Sequence, residues 1–471
     1  MELLDRVFRL ESRRTTVGRE LLGGVTTFMA LSYIVFVQPA VMAAAGVPEG
    51  GALVATCVAS AIACLLMAFT ANYPIALAPA MGHNFFFSFT VCLAVAKGGM
   101  GYSWQQALAA VFIGGAVFVV LSFFGFRAWL MELIPDNMKR AIAAGIGLMI
   151  ALLGLEYAGI LAPQPEGTYV AFGKLGNPYT LLAVFGLAVT LSLLALKVRG
   201  AVLFGILLTA TVGCIVRSGG SPLLDYTNLK SFGILRPGET LLKLDFGGLF
   251  AHPWKQFATV ILIFLFLDVF DTVGTLVGVS ERAGLLQDGR LPRARWALFS
   301  DAVGTVVGAV AGTSTVTSYV ESATGIQAGA RTGLANVATA ACFLAAILAY
   351  PLLGIVSKAI EVPVIVVVES GTQTATAVMK LYPVIAPALI VVGGMMLVSV
   401  AKMEWDDPTE LFPAFLTIII IPLTVNITEG IAFGFIAYSL LKTLTGRWRD
   451  AHWGFHLISL ALLLRYVFLP H

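Results

Sequence analysis

Within the apolar stretch Val260–Val279, VILIFLFLDVFDTVGTLVGV, two carboxylates interrupt the hydrocarbon: Asp268 and Asp271. A stretch of about 20 such residues is enough to cross a bilayer. An acid at mid-depth costs about 3 kcal/mol on insertion scales. Three positions apart on a helix places both acids on one side. That face must look into protein or a wet cavity, and its default reading is a substrate or proton pathway. The alternative is structural: buried aspartates bonded to neighbouring hydroxyls, fixing the packing of the helix. Two further stretches carry polar groups among apolar ones. ANYPIALAPAMGHNFFFSFT (71–90) presents His83 and Asn84, and GTSTVTSYVESATG (312–325) presents Tyr319 and Glu321. Ionised carboxylates accept hydrogen bonds, a carboxamide both donates and accepts, and imidazole titrates in the useful range. Phe86, Phe87 and Tyr319 could wall a flat ligand, or serve as ordinary packing.

These residues need a frame, and composition supplies it. The chain has 471 residues, 58% hydrophobic and only 12% charged. Its mean hydropathy is +0.91. Soluble proteins carry about 25% charged residues, so this is an integral membrane protein. A net charge of +3 is too small to imply a nucleic-acid partner. Cys57, Cys64, Cys92, Cys214 and Cys342 all sit in apolar runs without a CxxC spacing and read as small core residues. The first twenty residues are charged and lack an apolar signal core, so no cleavable signal is expected and the N-terminus is placed in the cytoplasm.

About fourteen spans are expected from apolar runs. In order they are 22–45, 52–71, 75–96, 107–125, 139–161, 180–197, 201–216, 257–279, 296–312, 313–330, 333–356, 384–400, 412–427 and 429–445. With the N-terminus inside, most of the 29 basic residues fall in inner segments, and both termini are cytoplasmic. A tail, 453–469, is apolar but interrupted by Arg465, and fits an interfacial helix or one packed on the bundle.

Spans 3 and 10 break the pattern. Pro74, Pro79 and Gly82 oppose a regular helix through the first half of span 3. The hydroxyl-rich, β-branched start of span 10 prefers an extended form. Irregular backbone at this depth survives only where protein or a wet cavity satisfies it. Seven spans separate the two, so they occupy matching positions in two halves of opposite topology. Matched interruptions of that kind point to a midplane site in an inverted-repeat transporter. Half-helices beginning near Asn84 and Glu321 would aim their positive ends at it. Other stretches say less. Glu281–Arg295 reads as a solvated basic connector, Glu404–Glu410 as an acidic turn with a helix cap, and Glu361–Leu381 as a re-entrant or surface piece.

ANYPIALAPAMGHNFFFSFT (71–90), FLFLDVFDTVGTLVGV (264–279), GTSTVTSYVESATGIQAGARTGLANV (312–337) and PAFLTIIIIPLTVNITEGIAFGF (413–435) resemble the adenine/guanine/hypoxanthine permeases of the wider xanthine/uracil, or nucleobase–ascorbate, family. The resemblance runs through nearly the whole chain in order. It implies an all-α polytopic membrane protein with a 7+7 inverted repeat and short antiparallel strands within spans 3 and 10. It implies core blocks at 1–125 and 257–357, gate blocks at 126–217 and 384–445, and a tail from 446 to 471. It also implies proton-coupled uptake of a purine base by alternating access at the plasma membrane, without a cofactor or bound metal. Matched by motif, the base is held by Asn84, Asp268 and Glu321. A wall of Phe86, Phe87 and Tyr319 is expected beside them, with the proton on Asp268 or Asp271 and His83 as a relay. The chain departs from the family's usual pattern at Ala80, His83, Phe85 and Phe86, which bears on the choice of base. The partners expected are the base, the proton and the bilayer, and a homodimer is left open.

Rival readings are fewer. An anion carrier of the same architecture would want a cation at the site rather than three acids. An intramembrane enzyme would want a second acidic cluster with lysine or arginine, and the spans hold none, so no enzyme is expected.

Overall fold

The computed structural model describes residues 2–95, 99–123, 134–163, 170–218, 220–225, 237–282, 291–367 and 374–468. Helices fall on the expected spans, seven segments followed by seven. Among the described residues, the helices of spans 1, 2, 4, 5, 6, 11 and 14 are long and apolar enough to cross a membrane, and those of spans 7, 12 and 13 are shorter apolar helices. The acid-bearing span 8 is a single helix, Trp254–Arg282, of 29 residues. At 1.5 Å per residue it is roughly 43 Å long, so it must tilt or project beyond a hydrocarbon layer about 30 Å thick. Span 1 is two helices, Val17–Leu31 and Ile34–Ala44, broken at Ser32–Tyr33. Span 2 runs through Glu49–Leu66 into a wide π turn, Met67–Ala71, and stops where Asn72 takes a left-handed φ of 57°.

Spans 3 and 10 contain short strands, Leu77–Pro79 and Val316–Ser318, paired antiparallel with Leu77 opposite Ser318 and Pro79 opposite Val316. The ladder continues past both ends, Ala80 N–H donating to Thr315 O at 2.9 Å and Tyr319 N–H to Ala76 O at 3.0 Å. Each strand of a two-stranded sheet has an unpaired outer edge, which at membrane depth needs a partner. Matching spans of the two halves supply it. Cys64 on span 2 accepts from Leu77 N–H at 3.3 Å and donates to Leu77 O at 3.4 Å. Thr305 on span 9 meets Val316 in the same way, accepting from its N–H at 3.2 Å and donating to its carbonyl at 3.0 Å. The inverted repeat is thus visible in individual hydrogen bonds. Close approach of span 9 to its strand needs Gly308, where a Cβ would come within 2.7 Å of Ser314 O. After the strands, helix resumes at Met81–Phe85, widening into a π turn through Val91, and at Ser322–Gln327 behind Glu321.

Two compact units divide the chain. The first is Met1–Leu148, Arg236–Ile347 and Met396–His471, and the second Met149–Leu235 and Leu348–Met395. Inside the first, polar staples fasten span 1 and the end of span 2 to span 11. Glu20, fully buried, accepts from Arg331 N–H at 2.8 Å and Thr332 N–H at 3.1 Å. Asn72 donates to Phe8 O and accepts from Gly333 N–H, and Asn336 donates to Tyr73 O and Ile75 O. The tail forms a helix, Trp453–Phe468, packed through Phe455 on Phe435 and Tyr438 of span 14 while Leu457 and Leu460 stay exposed. The second unit packs span 6 on span 7 through small residues, with Gly186 against Thr209 and Gly205 against Thr190. There Ile360–Val367 and Thr374–Leu381 form an antiparallel hairpin, as their β-branched content favours. Residues 368–373 of that stretch, and 283–290 of the basic connector, lie outside the described residues.

Candidate functional site

All the acids singled out from the sequence lie in the first unit, around the paired strands. Glu321 follows the span 10 strand. Its Oε1 accepts from the Tyr33 hydroxyl at 3.0 Å, which places the break in span 1 opposite the start of a span 10 helix. Among the described residues its Oε2 is buried without a hydrogen-bond partner. Asp271 comes to the same neighbourhood from span 8, within electrostatic reach of Glu321. Its side chain is 48% exposed, and Oδ2 lies 3.9 Å from His83 Nδ1. His83 is itself buried, with the Leu267 backbone beside its ring. The Tyr319 hydroxyl donates to Pro79 O, across from one discontinuous span to the other.

Asp268 does not share this environment. Three residues at 100° each leave two side chains about 60° apart around the helix, enough to set them on different flanks. Asp268 is 1% exposed. Its Oδ2 accepts from Thr305 Oγ1 at 2.9 Å, and its Oδ1 is buried without a partner among the described residues. The expectation that both acids face one space is corrected: Asp271 is open and Asp268 is enclosed between spans 8 and 9. Beside it stands an acid that sequence reasoning missed. Asp301 on span 9 is fully buried, accepting from Thr272 Oγ1 at 2.6 Å and from Ser318 N–H at 3.0 Å. Thr272 Oγ1 also lies 2.8 Å from Thr317 Oγ1. The signal was available, since Asp301 sits eighth in the apolar helix Ala294–Ala311. Among the described residues, no lysine or arginine forms an ion pair with any of these four acids.

Asn84 is fully buried and its carboxamide is engaged at both ends. It donates to Gln38 Oε1 and accepts from the Ser314 hydroxyl, while Gln38 Nε2 donates to Thr313 Oγ1 at 2.9 Å. One amide network therefore ties spans 1, 3 and 10, and Asn84 is not the open group expected. Gln38 and Tyr33 were missed because the sequence reading placed all function on spans 3, 8 and 10. A glutamine beside Pro39 in an apolar run was the available sign. The rings of Phe86 and Phe87 are fully buried against Phe264 of span 8, with centroids 5.0 and 6.3 Å away. In this structure they are packing groups between spans rather than an open wall.

Comparison with known proteins places this arrangement. The Permease family model, that of the xanthine/uracil permeases, matches residues 18–433. The guanine/hypoxanthine permease PbuG of Bacillus subtilis is 40% identical over 471 residues, covering 98% of this chain and 99% of that one. The adenine permease AdeP of Escherichia coli is 36% identical, over 99% and 96% of the two chains. The transmembrane domain of a cyanobacterium bicarbonate transporter, BicA, superposes with a TM-score of 0.59 over 88% of this chain and 96% of that one. At 15% identity, that likeness concerns the fold alone. A seven-plus-seven bundle, a strand pair at its discontinuous spans and a full-length sequence match together make this chain a multi-pass membrane transporter belonging to the xanthine/uracil Permease family.

Proposed function

We propose that the protein imports purine nucleobases, with adenine, guanine and hypoxanthine as the class, across the plasma membrane together with protons and by alternating access. The observation that carries this reading is the approach of Glu321 and Asp271 from two different spans, 10 and 8, one with an oxygen unpartnered among the described residues and the other half open. A purine is flat and uncharged and presents ring N–H and exocyclic amine donors. Tyr33 occupies Glu321 Oε1 and leaves Oε2 to accept a donor from the base. Asp271 is the second acceptor, and Tyr319 borders both acids. Asn84, held by Gln38 and Ser314, sets the register of spans 3 and 10 and reaches the base only if that network opens. Phe86 and Phe87 back the site through Phe264. Asp268, enclosed and away from the opening, suits the proton better than the base, and His83 beside Asp271 suits a relay. That PbuG is a guanine/hypoxanthine permease and AdeP an adenine permease supports the substrate class. The core blocks 1–125 and 257–357 carry the site in this scheme, 126–217 and 384–445 act as the gate, and both termini are cytoplasmic.

The test is uptake of labelled adenine, guanine, hypoxanthine, xanthine and uracil into cells lacking their own permeases, with bicarbonate as the anion control. Purine uptake that protonophore abolishes is expected. Glu321→Gln and Asp271→Asn should each lose about tenfold or more in apparent affinity, the usual penalty for unpairing polar groups in a built site. Uptake of bicarbonate and of no base would overturn the reading.

A further inference from the structure

We propose that Asp301 and Asp268 form one buried proton site, set behind the base site, in which the co-transported proton rides. The inference rests on the purine–proton symport just proposed. Its basis is a reciprocal clasp between spans 8 and 9. Asp268 and Thr272 lie four apart on one helix, Asp301 and Thr305 four apart on the other, so each pair shares a helix face. The pairs are crossed: Thr305 donates to Asp268 at 2.9 Å and Thr272 donates to Asp301 at 2.6 Å. With Ser318 N–H on Asp301 Oδ1, three carboxylate oxygens are matched to neutral donors. The fourth, Asp268 Oδ1, is buried with none among the described residues.

Two enclosed carboxylates stand within electrostatic reach of each other, and among the described residues their hydrogen-bond donors are all neutral. A single hydrogen ion bonded to Asp268 Oδ1 turns that carboxylate into a carboxyl and removes one of the two charges. It arrives from outer water as the O–H bond forms and leaves to inner water as that bond breaks, with no change of oxidation state. Other groups facing the pair are few. Asp271 is within electrostatic reach of Asp301 from span 8, and Tyr319 and Glu321 follow Ser318 on span 10. His83 of span 3 faces Asp271, and Cys57 and Cys64 are the titratable groups in the middle of span 2. Span 4, packed on span 9, contributes no titratable side chain in Trp104–Phe123. Loading is communicated to the base through the strand. Asp301 holds Ser318 N–H and Thr272 touches Thr317, three and four residues before Glu321.

The experiment uses purified full-length protein in proteoliposomes with a trapped pH dye. Asp301→Asn should keep base-for-base counterflow and base-dependent thermal stabilisation. It should lose accumulation driven by a pH gradient and base-stimulated proton entry by about tenfold or more, because the pair titrates as a unit. Wild-type proton entry in Asp301→Asn overturns the proposal. So does accumulation by the wild-type protein that follows a sodium gradient and ignores the pH gradient, which would make the ligand a metal cation. If Asp301→Asn does not fold, Thr272→Val decides: removing one clasp hydroxyl should displace the pH profile of uptake with counterflow intact, and an undisplaced profile overturns the proposal. A wild-type protein that moves no purine sinks the symport reading and this one with it. Proton entry undiminished in Asp301→Asn sinks this one alone.

Discussion

At the scale of single residues, the site is governed by which carboxylate oxygens already have donors. Tyr33 bonds Glu321 Oε1 at 3.0 Å, and so decides which oxygen is presented and in which direction. Hydrogen bonds to charged groups contribute about 1.5–3 kcal/mol, so Tyr33→Phe should weaken base binding by roughly ten- to a hundredfold. The loss should appear in the half-saturation constant measured by competition. Equal affinity in Tyr33→Phe would mean that Glu321 is oriented by something else. Asp268 and Asp271 show why identical residue types three apart can differ. The helix turns one toward Thr305 and the other toward an opening beside His83. Their presence at mid-span was legible from charge in hydrocarbon alone. Their separation into different surroundings was not, because it depends on which neighbouring helix lies against each flank.

At the scale of elements, the strand pair depends on side chains from spans 2 and 9 to satisfy its outer edges. Thr305 accepts from Val316 N–H and shares its one hydroxyl hydrogen between Val316 O and Asp268, whereas Cys64 serves only Leu77. A thiol is also the weaker donor and acceptor. Thr305→Val should therefore lower stability by about 2–4 kcal/mol, since each buried group left unpaired costs about 1–3 kcal/mol. Cys64→Ser should be neutral or stabilising. Thermal melts in detergent check both, and an equal cost for the two sites would contradict the assignment of edges. A second element-scale feature is the acidic turn between spans 12 and 13, which the sequence presented as a mere cap. Asp407 does cap the helix Pro408–Thr424, accepting from Thr409 N–H at 2.9 Å. Beyond that, Lys442 of span 14 is 1% exposed and ion-paired to Glu410 at 2.9 Å, Asp450 at 3.3 Å and Asp407 at 3.8 Å, with the Tyr438 hydroxyl also on Glu410. Removing one partner of a buried charge cluster costs about 3–5 kcal/mol, so Lys442→Met should release the tail helix to proteolysis before the bundle melts. The Thr409 N–H and hydroxyl, and then Arg447, hold the Asp407 carboxyl down to about 2. A folded-state value below the unfolded one near 4 means its contribution is complete above that pH and fades as the pH falls toward 2. Release of the tail, followed by limited acid proteolysis, should show that slope in the wild type and lose it in Asp407→Asn.

At the scale of the whole molecule, most of the architecture was readable because bilayer thickness sets segment length and irregular backbone needs a reason. Pro74, Pro79 and the hydroxyl run before Glu321 marked the two interrupted spans, and the structure pairs them through Leu77–Pro79 and Val316–Ser318. Asp301 went unread because one acid in an apolar run looks like a span boundary until its neighbour's threonine is known to face it. The hairpin at 360–381 gave its β-branched composition but not its pairing, since register needs both strands. Orientation is a global property for which charge gives an expectation. Arg6, Arg9, Arg13, Arg14 and Arg19 precede span 1, while Lys442, Arg447 and Arg449 follow span 14. Basic residues near span ends are held on the cytoplasmic side, and an even number of crossings returns the chain to where it began. A green fluorescent protein fused after His471 should therefore fluoresce, and alkaline phosphatase inserted after Pro48, between spans 1 and 2, should be active. The Lys442 cluster, at the inner end of span 14, would then sit on the side where the carrier releases its cargo. A dark C-terminal fusion with active phosphatase at the same end would reverse that assignment and the direction of import with it.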